Sequence, residues 1–310
     1  MMVDDRRAVT ACGLATMDCE YDVGHAPAAD EKVRARGVEL RPGGPAARAA
    51  LTARRLGAAS TLLTCLGESP VDAWITTRLQ AGGVDLRAVG RPHAPVVASV
   101  VLARDGGTRA VVSAIDRAPA LTADVDARVT AAVNGAGCVL LDGHYPEVAY
   151  RAAVAARASG VPVLADAGSW REELTPLLAR ADVVVAGEPF ARDVGGVDAA
   201  VGLVRGLGVR WIAVTRGPAP IVWAGPDGTG EIPLEPVVAR NTNGAGDVFH
   251  GAAAVVLARR GVPAADTAFV EVLERAAWVA GVAVGADDPL GALDAGVAAR
   301  FDAHLGRGRP

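Results

Sequence analysis

Residues 241–251 read Asn241-Thr242-Asn243-Gly244-Ala245-Gly246-Asp247-Val248-Phe249-His250-Gly251. Gly244 and Gly246 bracket Ala245 just ahead of an apolar run, Ala252 to Ala258, which reads as a buried helix. The glycines then form the helix's N-terminal turn, where N–H groups without partners and the positive end of the helix dipole face outward. Backbone alone can hold an anion there. Asp247, in the first turn, stands beside whatever that turn binds. A carboxylate next to a phosphate-sized nest can deprotonate a hydroxyl while charge builds on a transferring phosphoryl group. A glycine-rich helix start with a dipole-compatible aspartate explains the same residues without chemistry, so the rest of the chain has to decide.

Working outward, Trp211–Thr215, Val183–Ala186, Val161–Ala165, Cys138–Leu141 and Thr61–Leu66 are short apolar runs, with helical stretches such as Tyr150–Ala158 and Glu172–Ala179 between them. Strands alternating with helices predict a parallel sheet with right-handed crossovers. Ala8–Leu14 reads as the first buried strand, and Asp18 follows at its carboxyl end, where open α/β sheets place ligands. Asp142, His144, Tyr145, Asp166 and Glu188 follow other strands in the same way. His250 reads as packing near its helix rather than moving a proton. Gly43-Gly44-Pro45 opens an Ala-rich helix that stops at Gly57. Period-2 alternation at Lys32–Val38, Ala94–Leu102 and Arg109–Ile115, the last two joined through Arg104-Asp105-Gly106-Gly107, predicts half-exposed strands.

Composition excludes several classes. The 310 residues carry a net charge of −4 with no basic cluster, which argues against nucleic acid as a partner. Although 51% of residues are hydrophobic, no apolar run approaches the roughly 18 a membrane helix needs, and the start shows no signal-peptide pattern, so a cytoplasmic protein is expected. Cys12, Cys19, Cys65 and Cys138 lack metal-binding or redox spacing and read as inert thiols. The only lysine, Lys32, is not preceded by the glycines of a Walker loop, and no Gly-x-Gly-x-x-Gly occurs. Phosphate must therefore be held by Arg, backbone amides or a metal.

The 241–251 stretch resembles the C-terminal signature of the ribokinase-like (PfkB) carbohydrate kinases, Asp-Thr-x-Gly-Ala-Gly-Asp, with Asn241 in place of the first Asp. The 43–57 stretch resembles the N-terminal signature, and the two stand in the family's order. The resemblance implies an α/β ribokinase-like three-layer fold: one domain over 1–310, a central mostly parallel sheet flanked by helices, and a small β-sheet lid from approximately 20–42 and 92–116. It implies ATP and Mg²⁺, a sugar as acceptor, and a homodimer through the lid. Gly244, Ala245 and Gly246 become the anion hole and Asp247 the catalytic base. Asp18, Gly43, Gly44 and His144 fall to the sugar. Thr215, Gly217, Asn243, Gly244 and Ala280, the last within the small-residue helix Ala276–Val284, fall to the nucleotide.

Two further departures carry expectations. Arg48 stands where the family has an Asn that reaches the sugar; its charged fork either meets an oxyanion on an acidic acceptor, or turns to solvent or pairs with a nearby Asp. Gly187 and Phe190 stand where relatives carry an Asn-x-x-Glu pair that organises Mg²⁺, leaving Glu188 as a substitute metal ligand. In motif detail Gly-Gly-Pro-Ala-Ala and Asp-Val-Phe-His-Gly are similar to sulfofructose kinase, with ketohexokinase more distant, which implies a ketose-like or acidic sugar. A nucleoside kinase on the same fold and a non-catalytic binding descendant are the alternatives.

Overall fold

The structure is a computed structural model that describes residues 8–103, 108–116 and 118–305. Its strands are β1 (Val9–Cys12), β2 (Thr16–Val23), β3 (Gly37–Gly43), β4 (Ser60–Cys65), β5 (Asp85–Arg91), β6 (Val97–Ala103), β7 (Thr108–Ser113), β8 (Ala120–Leu121), β9 (Cys138–Leu141), β10 (Val163–Ala167), β11 (Val183–Gly187), β12 (Trp211–Arg216), β13 (Ala219–Ala224) and β14 (Thr229–Ile232). Ten of them form one sheet in the order β14-β13-β12-β11-β10-β9-β1-β4-β5-β8. The seven from β12 to β5 run parallel, and the antiparallel pairings lie at the two ends. This is the α/β architecture that the alternating strands and helices predict.

Both faces of the parallel strands are covered, so successive residues along one strand enter different cores. Cys138 and Leu140 of β9 pack into one core, Val139 and Leu141 into the other. The first core holds helices Pro45–Arg55, Ala245–Arg260 and Asp266–Val284; the second holds Val125–Val133, Pro146–Ser159 and Val197–Gly206. Small residues let the first group approach closely. A Cβ on Gly251 would stand 2.6 Å from the carbonyl oxygen of Ala49, so glycine is what permits helix Ala245–Arg260 to lie against Pro45–Arg55.

The remaining strands form a second sheet, β3-β2-β6-β7. Asp18 lies inside β2 of this sheet rather than in a loop after β1, which corrects its expected place. The alternation at Lys32–Val38 becomes strand only from Gly37; residues 24–36 are irregular. Glu172–Ala179 is a 3₁₀ turn, Glu172–Leu174, leading into a single-turn helix, Thr175–Leu178, because Pro176 removes a backbone donor in the middle of the run. The turn expected at residues 104–107 lies outside the described residues.

The sheet's two faces are inverted relative to an ordinary surface strand. Asp18 and Glu20 are buried, whereas Tyr21, Val38 and Leu40 are exposed. The register pairs Tyr21 with Val38 and Cys19 with Leu40 and Ser99, while Ser99 pairs with Val112, so these side chains share the outer face. Val112 is 75% exposed.

Candidate active site

Helix Ala245–Arg260 begins at Gly244, whose φ of 80° is left-handed backbone that glycine adopts without strain. A Cβ there would also stand 2.4 Å from Arg48 Nη1. Asn241 holds the loop ahead of it: Oδ1 accepts from Asn243 N–H at 2.9 Å, and Nδ2 donates to Asp287 O at 3.3 Å. The amide thus keeps the acceptor a carboxylate would supply and adds a donor. Ala245 N–H turns back to Thr242 O at 3.3 Å, and Val248 N–H takes Gly244 O at 2.9 Å. Gly246 is exposed at the helix mouth, beside Asp247.

Arg48 is the principal surprise. Its side chain is only 7% exposed, and Nη2 reaches Asp18 Oδ2 at 2.7 Å and Glu20 Oε1 at 3.1 Å. Nη1 donates to Asn243 O at 3.0 Å, and Nε stands 3.9 Å from Asp247 Oδ2. The guanidinium is therefore taken up by the protein's own acids, Asp18 among them, which is the second of the two readings open from sequence. Glu20 also accepts from Asn243 Nδ2 at 2.7 Å and pairs with Arg41 Nε at 3.2 Å. Arg109 Nη1 donates to Thr242 O at 2.6 Å. Glu20 and Arg109 tie the second sheet directly to the 241–247 loop, and Arg48 bridges the two from helix Pro45–Arg55.

The Gly43-Gly44 pair serves the same packing. A Cβ on Gly43 would stand 2.0 Å from Asp18, and one on Gly44, where φ is 91°, would stand 2.3 Å from Leu14 O. Asp142 is a staple: its carboxylate accepts from Leu14 N–H (2.8 Å), Ala46 N–H (3.1 Å) and His144 N–H (2.9 Å), joining the ends of β1 and β9 to the start of helix Pro45–Arg55.

A cavity of about 220 Å³ opens beside Asp247, with Gly246, Thr215, His144, Arg109 and Arg171 among its lining residues. Of the residues singled out from sequence, Gly246, Asp247, His144, Thr215, Asp142, Asp166, Gly187 and His250 line it. Asp18, Gly43, Gly44, Arg48, Asn243, Gly244 and Ala245 lie beneath or behind it, in the network just described. Gly217 sits in the exposed turn after β12, with φ 57°, and Ala280 packs against the first core. Glu188 is exposed at the start of helix Glu188–Asp193 and lies outside the cavity lining, and no group of three or more metal-ligating side chains occurs among the described residues. The residues present do not fit a protein-held metal. Glu20, Arg109 and Arg171 were missed; the period-2 spacing of Asp18 and Glu20 on a strand was the signal for the first.

Asp166 faces the same cavity. Alternation along β10 turns it toward helix Ala245–Arg260, where His250 Nδ1 lies 3.5 Å from its Oδ2. His250 is buried, with Nδ1 2.7 Å from Gly246 O and Nε2 3.2 Å from Val185 O, so it packs against the helix and β11 as the sequence suggests. Burial pushes the Asp166 carboxyl up to about 7; His250 opposes this, and Asp247 and Asp142 add to it. Burial also raises Asp247, against the pull of Arg48, His250 and Arg109.

A mostly parallel α/β sheet with a glycine-opened helix start beside a carboxylate is an arrangement able to hold an anion. The chain belongs to the pfkB family carbohydrate kinases, whose family model matches residues 6–292, and it is accordingly an ATP-dependent carbohydrate kinase. Its fold is shared with ribokinase from Giardia lamblia (16% identity, TM-score 0.83, covering 96% of this chain and 99% of that one). It is shared also with Arabidopsis thaliana ribokinase complexed with ribose and ATP (21%, 0.77, 97% and 99%) and with fructokinase with bound ATP from Xylella fastidiosa (20%, 0.74, 97% and 100%). No helix among the described residues is long and apolar enough to cross a membrane.

Two predictions follow from the charges. Arg48→Met strands Asp18 and Glu20 without their partner and should cost about 3–5 kcal/mol of stability by urea unfolding. An unchanged stability would return Arg48 to a substrate-facing role. For Asp166, the folded state keeps its proton to about 7, whereas an unfolded Asp releases it near roughly 3.9. The folded protein binds more protons between those values, so stability falls as pH rises through that window. Asp166→Asn removes the loss: relative to wild type it should gain about 2–3 kcal/mol between pH 5 and pH 8. An equal difference at both pH values contradicts the assignment.

Proposed function

We propose that the enzyme transfers the γ-phosphoryl group of ATP to a hydroxyl of a ketose-like or acidic sugar in the cavity beside Asp247. The observation that carries this reading is the meeting, at one cavity, of the Gly246 helix mouth, the Asp247 carboxylate and Thr215 at the end of β12. The acceptor hydroxyl gives its proton to Asp247, its oxygen attacks the γ-phosphorus, and the bond to the β-bridging oxygen breaks to release ADP. The N–H groups of Gly246 and its neighbours in the 244–247 turn meet the charge on the transferring group. Because this transfer is loose, positioning and charge stabilisation outweigh base strength.

Mg²⁺ enters with ATP as the substrate complex. Adenine falls against the helix face that carries Ala280, with the Gly217 turn near the phosphates. The second sheet acts as the lid, the whole chain forming one kinase domain, and its apolar outer face (Val38, Leu40 and Val112) pairs with that of a second copy. A cytoplasmic location suits these substrates.

The test is ADP release with Mg-ATP across pooled ketoses, sugar acids, sulfosugars and nucleosides. A sugar pool should stimulate release, and Asp247→Asn should lower kcat on the order of 10²–10⁴-fold with little change in ATP binding. Stimulation by nucleosides alone would move the acceptor class, and normal turnover in Asp247→Asn would remove the base. For the dimer, sedimentation should report two copies in wild type and one in Val112→Lys; a wild-type monomer contradicts the pairing.

A further inference from the structure

Of the residues expected to meet the sugar, Asp18, Gly43, Gly44 and Arg48 do not line the open space beside Asp247; Pro45 is the part of the N-terminal signature that does. Asp18, Gly43, Gly44 and Arg48 close on one another under the second sheet, with Asp18 and Arg48 each under one-tenth exposed. The acceptor side of the cavity is walled by other residues, among them Arg109, His144 and Arg171.

The cavity carries three carboxylates, Asp142, Asp166 and Asp247, beside its two arginines, and Arg109 attracts Asp247 without a close ion pair. Asp142 spends its oxygens on three backbone N–H groups. Asp166 faces His250, and Asp247 has Arg48 nearby. Neither arginine of the wall is paired with a carboxylate of the cavity. The hydrogen bond from Arg109 goes to a backbone carbonyl, Thr242 O. Arg171 donates to Gly143 O at 3.0 Å and Ser169 Oγ at 3.3 Å; its one acidic partner, Glu173 at 3.2 Å, is half exposed and lies outside the cavity lining. These bonds fix the fork while its charge stays available, so little further ordering is needed to bind an oxyanion. His144 adds a polar atom: its Nδ1 is buried without a hydrogen-bond partner. At about 220 Å³ the cavity has room for a small polar molecule.

We propose that Arg109 and Arg171, with His144 beside them, bind an anionic group on a small polyhydroxy acceptor, so that the enzyme's preferred substrate is a sugar acid or its sulfonate or phosphate counterpart. This rests on the kinase reading of the same cavity. It moves the anion-reading role away from Arg48, whose guanidinium is already occupied, to two arginines contributed by β7 and by the segment after β10. An acceptor held there presents its far hydroxyl to Asp247 across the cavity.

The test compares kcat/KM for matched acceptors of one chain length: a hexonate, a sulfo-ketose, a ketose phosphate and their neutral hexose, ketose or hexitol. At least one anionic member should exceed its neutral partner by on the order of 100-fold, and which one identifies the group. Arg171→Gln and Arg109→Gln should each cut that ratio by about 10–100-fold and leave KM for ATP within about threefold, with Arg171→Lys intermediate. Equal rates for charged and neutral acceptors would overturn the proposal while leaving the kinase reading intact. So would variants that slow every acceptor alike and raise KM for ATP, since the arginines would then serve the nucleotide. If no acceptor releases ADP, the kinase reading fails; a rise in Tm with the anionic sugar alone, lost in Arg171→Gln, would still support the anion site, and no rise would overturn it.

Discussion

One guanidinium holds three carboxylates. Arg48, on helix Pro45–Arg55, stands among Asp18 and Glu20 of the second sheet and Asp247 of helix Ala245–Arg260. Three acids brought together without a cation would repel one another and lose their hydration, at a penalty of several kcal/mol per buried ion. Arg48 is the cation that reaches all three, with Arg41 beside Glu20, and it helps the second sheet lie over the 241–247 loop. The same contacts set the shape of the catalytic corner: Asn243 gives its carbonyl to Arg48 and its side-chain amide to Glu20, so the turn before Gly244 is fixed from both sides.

Close packing supplies the other constraint. Ala46, Ala47, Ala49, Ala50 and Ala53 make helix Pro45–Arg55 thin on its buried side, and Gly251 lets helix Ala245–Arg260 settle against it. A larger residue at Gly251 would push the second helix outward and move Asp247 away from Arg48. Asp142 anchors the same helix to the ends of β1 and β9 through backbone donors. Asp247 is thus positioned by backbone and by small residues rather than by bulky side chains, which suits the role proposed for it in a reaction where geometry outweighs base strength.

Much of this was legible in the residues. The apolar runs at Cys138–Leu141 and Val183–Ala186 could be placed because a strand covered on both faces has to be continuously apolar. Gly43-Gly44-Pro45 and Gly244-Ala245-Gly246 marked both helix starts through backbone rules alone. Arg48 was legible as an anomaly, with a substrate anion and a nearby Asp equally open as its partner. A charged residue looks the same in sequence whether it meets substrate or its own acids, and the acids here lie 28 and 30 positions away, on a strand of another sheet. Asp18 was misplaced because the end of β1 and the start of β2 are separated by only three residues, which hides the change of sheet. Arg109 and Arg171 carried no local signal, since each becomes part of the cavity wall only through tertiary folding.

The most direct test of the Arg48 cluster is a double-mutant cycle for stability, using Arg48→Met, Glu20→Gln and the pair together. If Arg48 is what makes the acids tolerable, each single change leaves uncompensated charge and the pair together costs less than the sum, with a coupling of about 1–3 kcal/mol. Additive costs would show that the guanidinium and the carboxylate act independently, and that something else holds the second sheet over the site.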